Sequence, residues 1–178
     1  MNIIGFDTSL NGCGIAIVDT ITNKVIYHNK IIHPKDTSER QKRINIQNEI
    51  TTLLKNYTID YAVLEDTFMQ NNVKTMKQID VVRGLIIALL NINNINYDET
   101  ITPNAAKSAC GVKAGKDANG DKIDTKALVM DAMYKLFPDL PAGVPNDVTD
   151  ALALINWYLT EGQKPKKEKK KTKKRSKK

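Results

Sequence analysis

The sequence has little cysteine and no long apolar run, and both absences narrow the possible protein classes. Of 178 residues only two are cysteines, Cys13 and Cys110, and they lack the spacing of a metal-binding or CxxC motif. We interpret both as reduced, small packing residues of an intracellular protein. The longest apolar run, 84–90, is far shorter than the roughly 20 residues of a membrane span. No basic and apolar leader precedes the first strand-like run, so the sequence gives no sign of secretion.

Basic charge is concentrated at the C-terminal end. Residues 163–178 contain 11 of the 27 basic residues and one of the 20 acidic residues, so residues 1–162 keep 16 basic and 19 acidic residues. A segment of this composition cannot bury apolar surface, and we predict that 162–178 is a disordered tail. Two interpretations stay open: a solubilising tail, or a non-specific tether to nucleic acid that releases counterions from phosphates.

The length and the apolar pattern of residues 1–161 predict one domain with five strands. Three strand-like runs at the start of the chain are close enough to form hairpins, YAVLEDT is a fourth and DETIT a short fifth. Helices are predicted over 37–56 (capped by Thr37 or Ser38), 73–91, 103–110, 124–137 and 146–160. The predicted elements begin with three strands, and helices then alternate with the remaining strands. This order predicts an α/β domain with a mixed sheet. The polar loop 111–123 is long enough to be functional.

Four carboxylates lie where strands end or a helix begins. Asp7 ends the first strand, Glu65 ends the fourth, and Asp147 and Asp150 lie on the first turn of the last helix. A carboxylate at the end of an apolar strand is costly unless it is solvated, paired or bound to a cation. Neighbouring strands can bring two such ends together, and acids at i and i+3 share one helix face. If that face covers the same sheet edge, all four carboxylates converge.

Converging carboxylates require a compensating positive charge. Hard divalent cations such as Mg²⁺ accept an oxygen-rich shell, and two ions ~3.5–4 Å apart can stabilise the attacking and leaving oxygens of a phosphoryl displacement. The only histidines, His28 and His33, are interpreted as structural or solvated, so no histidine or thiolate set competes for the metal. The spacing alone leaves non-catalytic interpretations open. Asp7 and Glu65 could be ordinary strand-end residues, and Asp147 could be a first-turn acid favoured by the helix dipole.

Four sequence blocks resemble one known family. They are IIGFDTSLNGCGIAIVD, AVLEDTFMQNNVKTMKQIDVVRGLI, TPNAAKSACGVKAGKDANGDK and NDVTDALAL. In order and spacing they are similar to the RuvC family of Holliday-junction resolvases, within the RNase H-like nuclease superfamily, and more to its phage-encoded members. The resemblance covers most of 1–160. It implies an RNase H-like mixed five-stranded sheet flanked by helices.

The resemblance also implies an activity, a cofactor and partners. The expected activity is a Mg²⁺-dependent endodeoxyribonuclease that resolves four-way DNA junctions by paired nicks and leaves 5′-phosphates. Asp7 is expected to bridge two Mg²⁺ ions (Mn²⁺ can substitute), Glu65 to hold one, and Asp150 with Asp147 the other. A homodimer is expected, with the 73–91 helix as its interface, because two sites must cut two symmetric strands. The expected location is the cytoplasm of a bacterium or a phage-infected host, with no membrane partner.

Further residues match family positions. Phe68 matches an aromatic that stacks on bases at the junction centre, with a buried core role as the alternative. Lys107 matches a position implicated in catalysis or phosphate contact. Arg83 is predicted either to contact phosphate or to close an internal ion pair, and both remain open. Three loop lysines are predicted to touch the DNA backbone, with ordinary solvation as the alternative: Lys113, Lys116 and Lys122.

This chain departs from the family pattern where GFDTS stands in place of GIDPG. The change sets the hydroxyls of Thr8 and Ser9 beside the predicted site. Together with the lysine-rich tail it leads us to expect activity on several branched DNAs, including forks. Three other functions are weighed: a YqgF-type nuclease acting on RNA, a non-catalytic junction-binding protein, and an actin-like ATPase. The chain is short for the last, and it lacks a second phosphate loop.

Overall fold

A computed structural model describes residues 1–66, 72–113, 115 and 120–163. Within these residues, no helix combines the length and the apolar character that crossing a membrane requires. The predicted disorder of the basic tail falls almost entirely outside the described residues and stays a prediction.

The sheet has five strands in the order β3-β2-β1-β4-β5. The strands are β1 (Asn2–Asp7), β2 (Gly12–Asp19), β3 (Lys24–Ile32), β4 (Tyr61–Glu65) and β5 (Asn96–Ile101). β1, β2 and β3 pair antiparallel as consecutive hairpins, whereas β4 runs parallel to both β1 and β5. Parallel neighbours need long crossover connections, and helices supply them here. The predicted mixed sheet of five strands is confirmed.

Five α-helices connect or cover these strands. They are α1 (Glu39–Asn56), α2 (Val73–Ile92), α3 (Pro103–Ala109), α4 (Thr125–Leu136) and α5 (Asn146–Trp157). Ser38, one of the two predicted caps, accepts a hydrogen bond from the Gln41 amide at 3.2 Å and caps α1. The last predicted helix ends earlier as an α-helix, at Trp157, and continues as a π-helical turn over Tyr158–Gly162.

The sheet separates two apolar cores, because alternate side chains of each strand point to opposite faces. Ile4 and Phe6 of β1 face α1 and α2. Ile3 faces the other side, where α3, α4 and α5 pack. α5 is buried on almost every side, with eight buried residues between Val148 and Asn156. A helix that is apolar all round belongs in a core, and here α5 lies between the sheet and two other helices.

Two glycines let α5 lie directly on the sheet. A Cβ atom added at Gly5 of β1 would come 2.5 Å from the Ala151 carbonyl oxygen. A Cβ atom added at Gly14 of β2 would overlap the backbone of Asp147. Because any side chain at either position would push the helix away, these glycines fix how closely α5 approaches the sheet.

Candidate active site

Asp7 and Glu65 lie side by side at the carboxyl ends of the neighbouring inner strands β1 and β4, which form one end of the sheet. Both follow the Phe6–Leu64 pair of the parallel strands β1 and β4, so each is the last residue of its strand. Their side chains point to the face that α5 covers, the same face as Val63. The sequence pattern of apolar strands ending in acids thus predicted this juxtaposition.

α5 brings Asp147 and Asp150 to the same end of the sheet. Gly14 is the strand partner of Asp7 in β2, and the same glycine packs against the backbone of Asp147. Asp147 is the second residue of α5 and Asp150 the fifth, so Asp150 begins the second turn. The prediction that both aspartates lie on the first turn was wrong for Asp150. The i, i+3 spacing still places both on one helix face.

Burial and mutual repulsion raise the pKa values of these acids. The pKa of Asp7 is raised from 3.8 to about 8, first by burial and then by the charges of Glu65, Asp150 and Asp147. A hydrogen bond between Asp7 and Glu65 raises the pKa of Asp7 and opposes the rise at Glu65. The two carboxyl groups therefore share a proton, which relieves part of their mutual repulsion. Burial likewise raises the pKa values of Glu65 and Asp150.

Three lysines from three elements compensate this negative charge. Lys107 of α3 opposes the pKa rise of Glu65 and of Asp150. Lys107, Glu65 and Asp150 line one small cleft of about 80 Å³. Lys126, in the first turn of α4, also opposes the pKa rise of Asp150. Lys30 of β3 forms an ion pair with Asp147, with 2.5 Å between Nζ and Oδ2.

Sequence reasoning identified Lys107 but missed Lys30 and Lys126. Lys126 follows the helix-capping Asp124 by two residues, a placement that sequence alone could have linked to the start of α4. The sequence alone could not have shown that this end of α4 faces Asp150. Lys30 carries no motif, and its place follows from the pairing of Lys30 with Gly14 across β2 and β3.

The carboxylates fit a divalent cation by chemistry, although they are not arranged as a ready-made site. Among the described residues, no group of three or more His, Cys, Asp or Glu side chains is positioned to hold a metal ion. Instead, Asp7 shares a proton with Glu65, and Lys30 pairs with an oxygen of Asp147. A hard cation would replace the proton and the ammonium group as the compensating charge. The donor set is therefore the all-oxygen set that Mg²⁺ or Mn²⁺ prefers.

Arg83 of α2 forms the internal ion pair that was one of its two predicted roles. Its guanidinium lies 2.7 Å from the Glu99 carboxylate and donates to the Glu99 carbonyl oxygen, also at 2.7 Å. Asp66 lies at 4.0 Å, and the Arg83 side chain is 17% exposed. A phosphate contact by Arg83 would have to disrupt this pair, and it remains a prediction.

The other predicted contact residues are less constrained. Lys113 and Lys122 are exposed in the loop after α3. Phe68 and Lys116 lie outside the described residues, so their predicted contacts stay predictions. Thr8 is buried, and Ser9 accepts a hydrogen bond from the Asn11 amide at 3.2 Å within the β1–β2 turn.

The two cysteines are free. Cys13 is fully buried, and burial raises the pKa of its thiol to about 12, so it is an unreactive packing residue.

Comparison with known proteins matches one family over most of the chain. The family model described as "Crossover junction endodeoxyribonuclease RuvC" matches residues 3–156. A protein of that name from Fusobacterium nucleatum is 28% identical over 161 residues, covering 89% of this chain and 80% of the relative. Another from Brachyspira hyodysenteriae is 28% identical over 156 residues, covering 86% of this chain and 91% of the relative.

A solved structure has the same fold. The chain described as "T. thermophilus RuvC in complex with Holliday junction substrate" superposes with a TM-score of 0.74. The match covers 89% of this chain and 93% of that chain at 12% sequence identity. At this identity the likeness shows the fold alone. The predicted RNase H-like architecture is confirmed.

Proposed function

The chain belongs to the family of the crossover junction endodeoxyribonuclease RuvC, and on this premise we propose that Asp7, Glu65, Asp147 and Asp150 are its catalytic carboxylates. It is a junction-resolving endodeoxyribonuclease. The observation that supports the residue assignment is the convergence of two strand ends and one helix start, where burial first and mutual repulsion second raise the pKa of Asp7 to about 8. A fold needs no such cluster for its stability, since uncompensated buried charge is destabilising.

The metal is Mg²⁺, two ions per site, with Mn²⁺ as a substitute. Asp7 interacts with all three other acids and would serve both ions, with Glu65 holding one ion and Asp150 with Asp147 the other. When bound, such ions stabilise the attacking and leaving oxygens of an in-line phosphoryl displacement. The proton that Asp7 holds must leave for its carboxylate to bind a cation, so metal binding releases protons.

Lys107 is proposed to bind a phosphate oxygen next to the scissile bond. In the metal-free protein its charge compensates Glu65 and Asp150, which line the same cleft. Metal ions would take over that compensation, which leaves the ammonium group available to phosphate. Lys126 lies close enough to Asp150 for the same role. The exposed Lys113 and Lys122 contact the DNA backbone, as does Lys116. Phe68 stacks on bases at the junction centre.

The partner is a second copy of this chain. α2 leaves two valines of its first half exposed, Val73 by 56% and Val81 by 48%. Apolar side chains on one helix face suit a two-fold interface, in which the same patch meets itself. A two-fold dimer places two sites symmetrically on a four-way junction, so that paired nicks resolve it.

The substrate range extends to several branched DNAs in the bacterial or phage-infected cytoplasm. The support for this range is the basic segment 163–178, which carries 11 basic residues and one acid. Phosphate contacts by such a segment add affinity that does not depend on sequence or on junction shape.

Cleavage and binding of a synthetic four-way junction test the proposal. We expect the wild-type chain to nick it with Mg²⁺ and Asp7→Asn to bind it without nicking. Asp131→Asn, a change at an exposed acid on α4, serves as the matched control and should cleave normally. Normal cleavage by Asp7→Asn would refute the site. Binding without cleavage by the wild type would favour a non-catalytic junction-binding protein, and preferential cleavage of structured RNA a YqgF-type nuclease.

A further inference from the structure

Lys30 reaches the candidate active site from the edge strand of the sheet. It pairs with Gly14 across β2 and β3, and its neighbour Ile31 belongs to the opposite core. The Lys30 side chain therefore lies on the same face of the sheet as Asp7 and α5. Lys30 is the residue of β3 that points at the start of α5, where Asp147 lies.

Two glycines of β2 make room for this ion pair. A Cβ atom added at Gly12 would come 2.7 Å from Cε of Lys30 and 3.4 Å from its Nζ. The same atom would lie 3.8 Å from Oδ1 of Asp147. Gly14 in turn admits the backbone of Asp147. The local backbone of β2 thus accommodates both members of the pair, which makes the contact a feature of the fold.

The ion pair occupies one oxygen of a proposed metal ligand. Lys30 Nζ lies 2.5 Å from Oδ2 of Asp147, and the two side chains are 29% and 26% exposed. A second lysine–aspartate pair of the same strand, Lys24 with Asp139, is longer at 3.7 Å and far more exposed, at 62% and 71%. A short, partly buried pair is less screened by solvent than an exposed one. Lys30 is therefore a persistent competitor for that carboxylate.

We propose that Lys30 is a positioning residue that competes with a divalent cation for Asp147. The inference rests on the proposed function, in which Asp147 helps to hold the second metal ion. The ammonium group and the metal ion both require the Asp147 carboxylate, and their positive charges repel each other. Lys30 keeps Asp147 aimed and compensated in the metal-free site, and it must withdraw when a metal ion binds there.

Mn²⁺ binding measured by titration calorimetry without DNA tests this competition. Lys30→Met keeps the length of the side chain and removes its charge. We expect it to bind Mn²⁺ about fivefold more tightly than the wild type, the factor that corresponds to breaking a partly exposed ion pair. Lys30→Arg, which keeps the charge, should bind like the wild type. Lys24→Met, which removes a lysine of the same strand outside the site, is the matched control and should leave the affinity unchanged.

A double-mutant cycle shows whether the effect passes through Asp147. In an Asp147→Asn background, Lys30→Met should no longer tighten Mn²⁺ binding, because the contested carboxylate is absent. Equal or weaker binding by Lys30→Met in the wild-type background would overturn the proposal. So would tighter binding that persists with Asp147→Asn. Thermal unfolding of each variant confirms that it is folded before its affinity is compared.

The same titrations separate this proposal from the proposed function. If the wild type binds Mn²⁺ and Asp7→Asn does not, the metal site stands, and the Lys30 result is decided by Lys30→Met alone. If the wild type and Asp7→Asn bind Mn²⁺ equally weakly, the metal site itself is wrong, and the competition falls with it.

Discussion

Replacement of Asp7 by asparagine should abolish cleavage and at the same time stabilise the metal-free protein at alkaline pH. The pKa of Asp7 is 3.8 in a model peptide and about 8 in the folded chain. Between these values the folded protein holds a proton that the unfolded chain has lost. The free energy of unfolding therefore falls as pH rises from about 4 to about 8. Asparagine carries no charge, and its amide can still donate to the Glu65 carboxylate.

The magnitude follows from the size of the shift. At 1.36 kcal/mol per pKa unit, the full rise in the pKa of Asp7 would correspond to an upper limit of about 6 kcal/mol. Asp7 keeps some contact with solvent and shares a proton with Glu65, so relaxation and hydration reduce the gain to about 2 kcal/mol at pH 8. For a domain of this size that corresponds to a rise in Tm of roughly 4–8 °C.

The assay is thermal unfolding in EDTA at several pH values between 5 and 8, with the wild type, Asp7→Asn and the control Asp131→Asn. The advantage of Asp7→Asn should grow with pH and should shrink or reverse in Mg²⁺, which stabilises only a chain that can bind it. An advantage that is absent at pH 8, or equal at pH 5 and pH 8, would refute the electrostatic account of the site.

Three other changes give distinct expectations. Glu65→Gln should lower the cleavage rate at least ~100-fold with junction binding retained, checked by gel assays; a loss of binding instead would contradict a catalytic role. Gly14→Ala should cost about 3 kcal/mol, because its Cβ overlaps the backbone at the start of α5. Gly12→Ala should cost less, since it meets only the flexible end of a lysine; equal costs in urea unfolding would contradict this. Val81→Glu should weaken dimerisation at least about tenfold in sedimentation equilibrium, whereas Ile21→Glu, at an 84% exposed turn position, should not; an unchanged dimer would exclude this face of α2.

The sequence predicted the acidic edge of the site because its pattern is local. Apolar strands that end in Asp7 and Glu65 reveal both the strands and the edge at which the acids lie. Because β1 and β4 are neighbouring parallel strands, their carboxyl ends lie side by side. The helix that carries Asp147 and Asp150 was likewise visible from its own apolar pattern. The prediction that Asp150 lies on the first turn was wrong, because Asp150 is the fifth residue of α5 and begins the second turn.

The basic residues of the site were harder to predict, because their places depend on contacts between distant segments. Lys30 and Asp147 are 117 residues apart. Their contact depends on the pairing of β3 with β2 and on Gly12 and Gly14 of β2. Lys126 depends on how α4 packs against α5. The two roles predicted for Arg83 could be separated only once β5 placed Glu99 beside α2.

Cut-site mapping on a synthetic four-way junction tests the central claim most directly. With Mg²⁺, the wild-type chain should produce paired nicks on two strands at positions related by the two-fold symmetry of the junction. Each nick should leave a 5′-phosphate, and Asp7→Asn should leave the junction intact. Unpaired nicks would contradict the two-fold assembly, and cleavage by Asp7→Asn at the wild-type rate would contradict the four-carboxylate site.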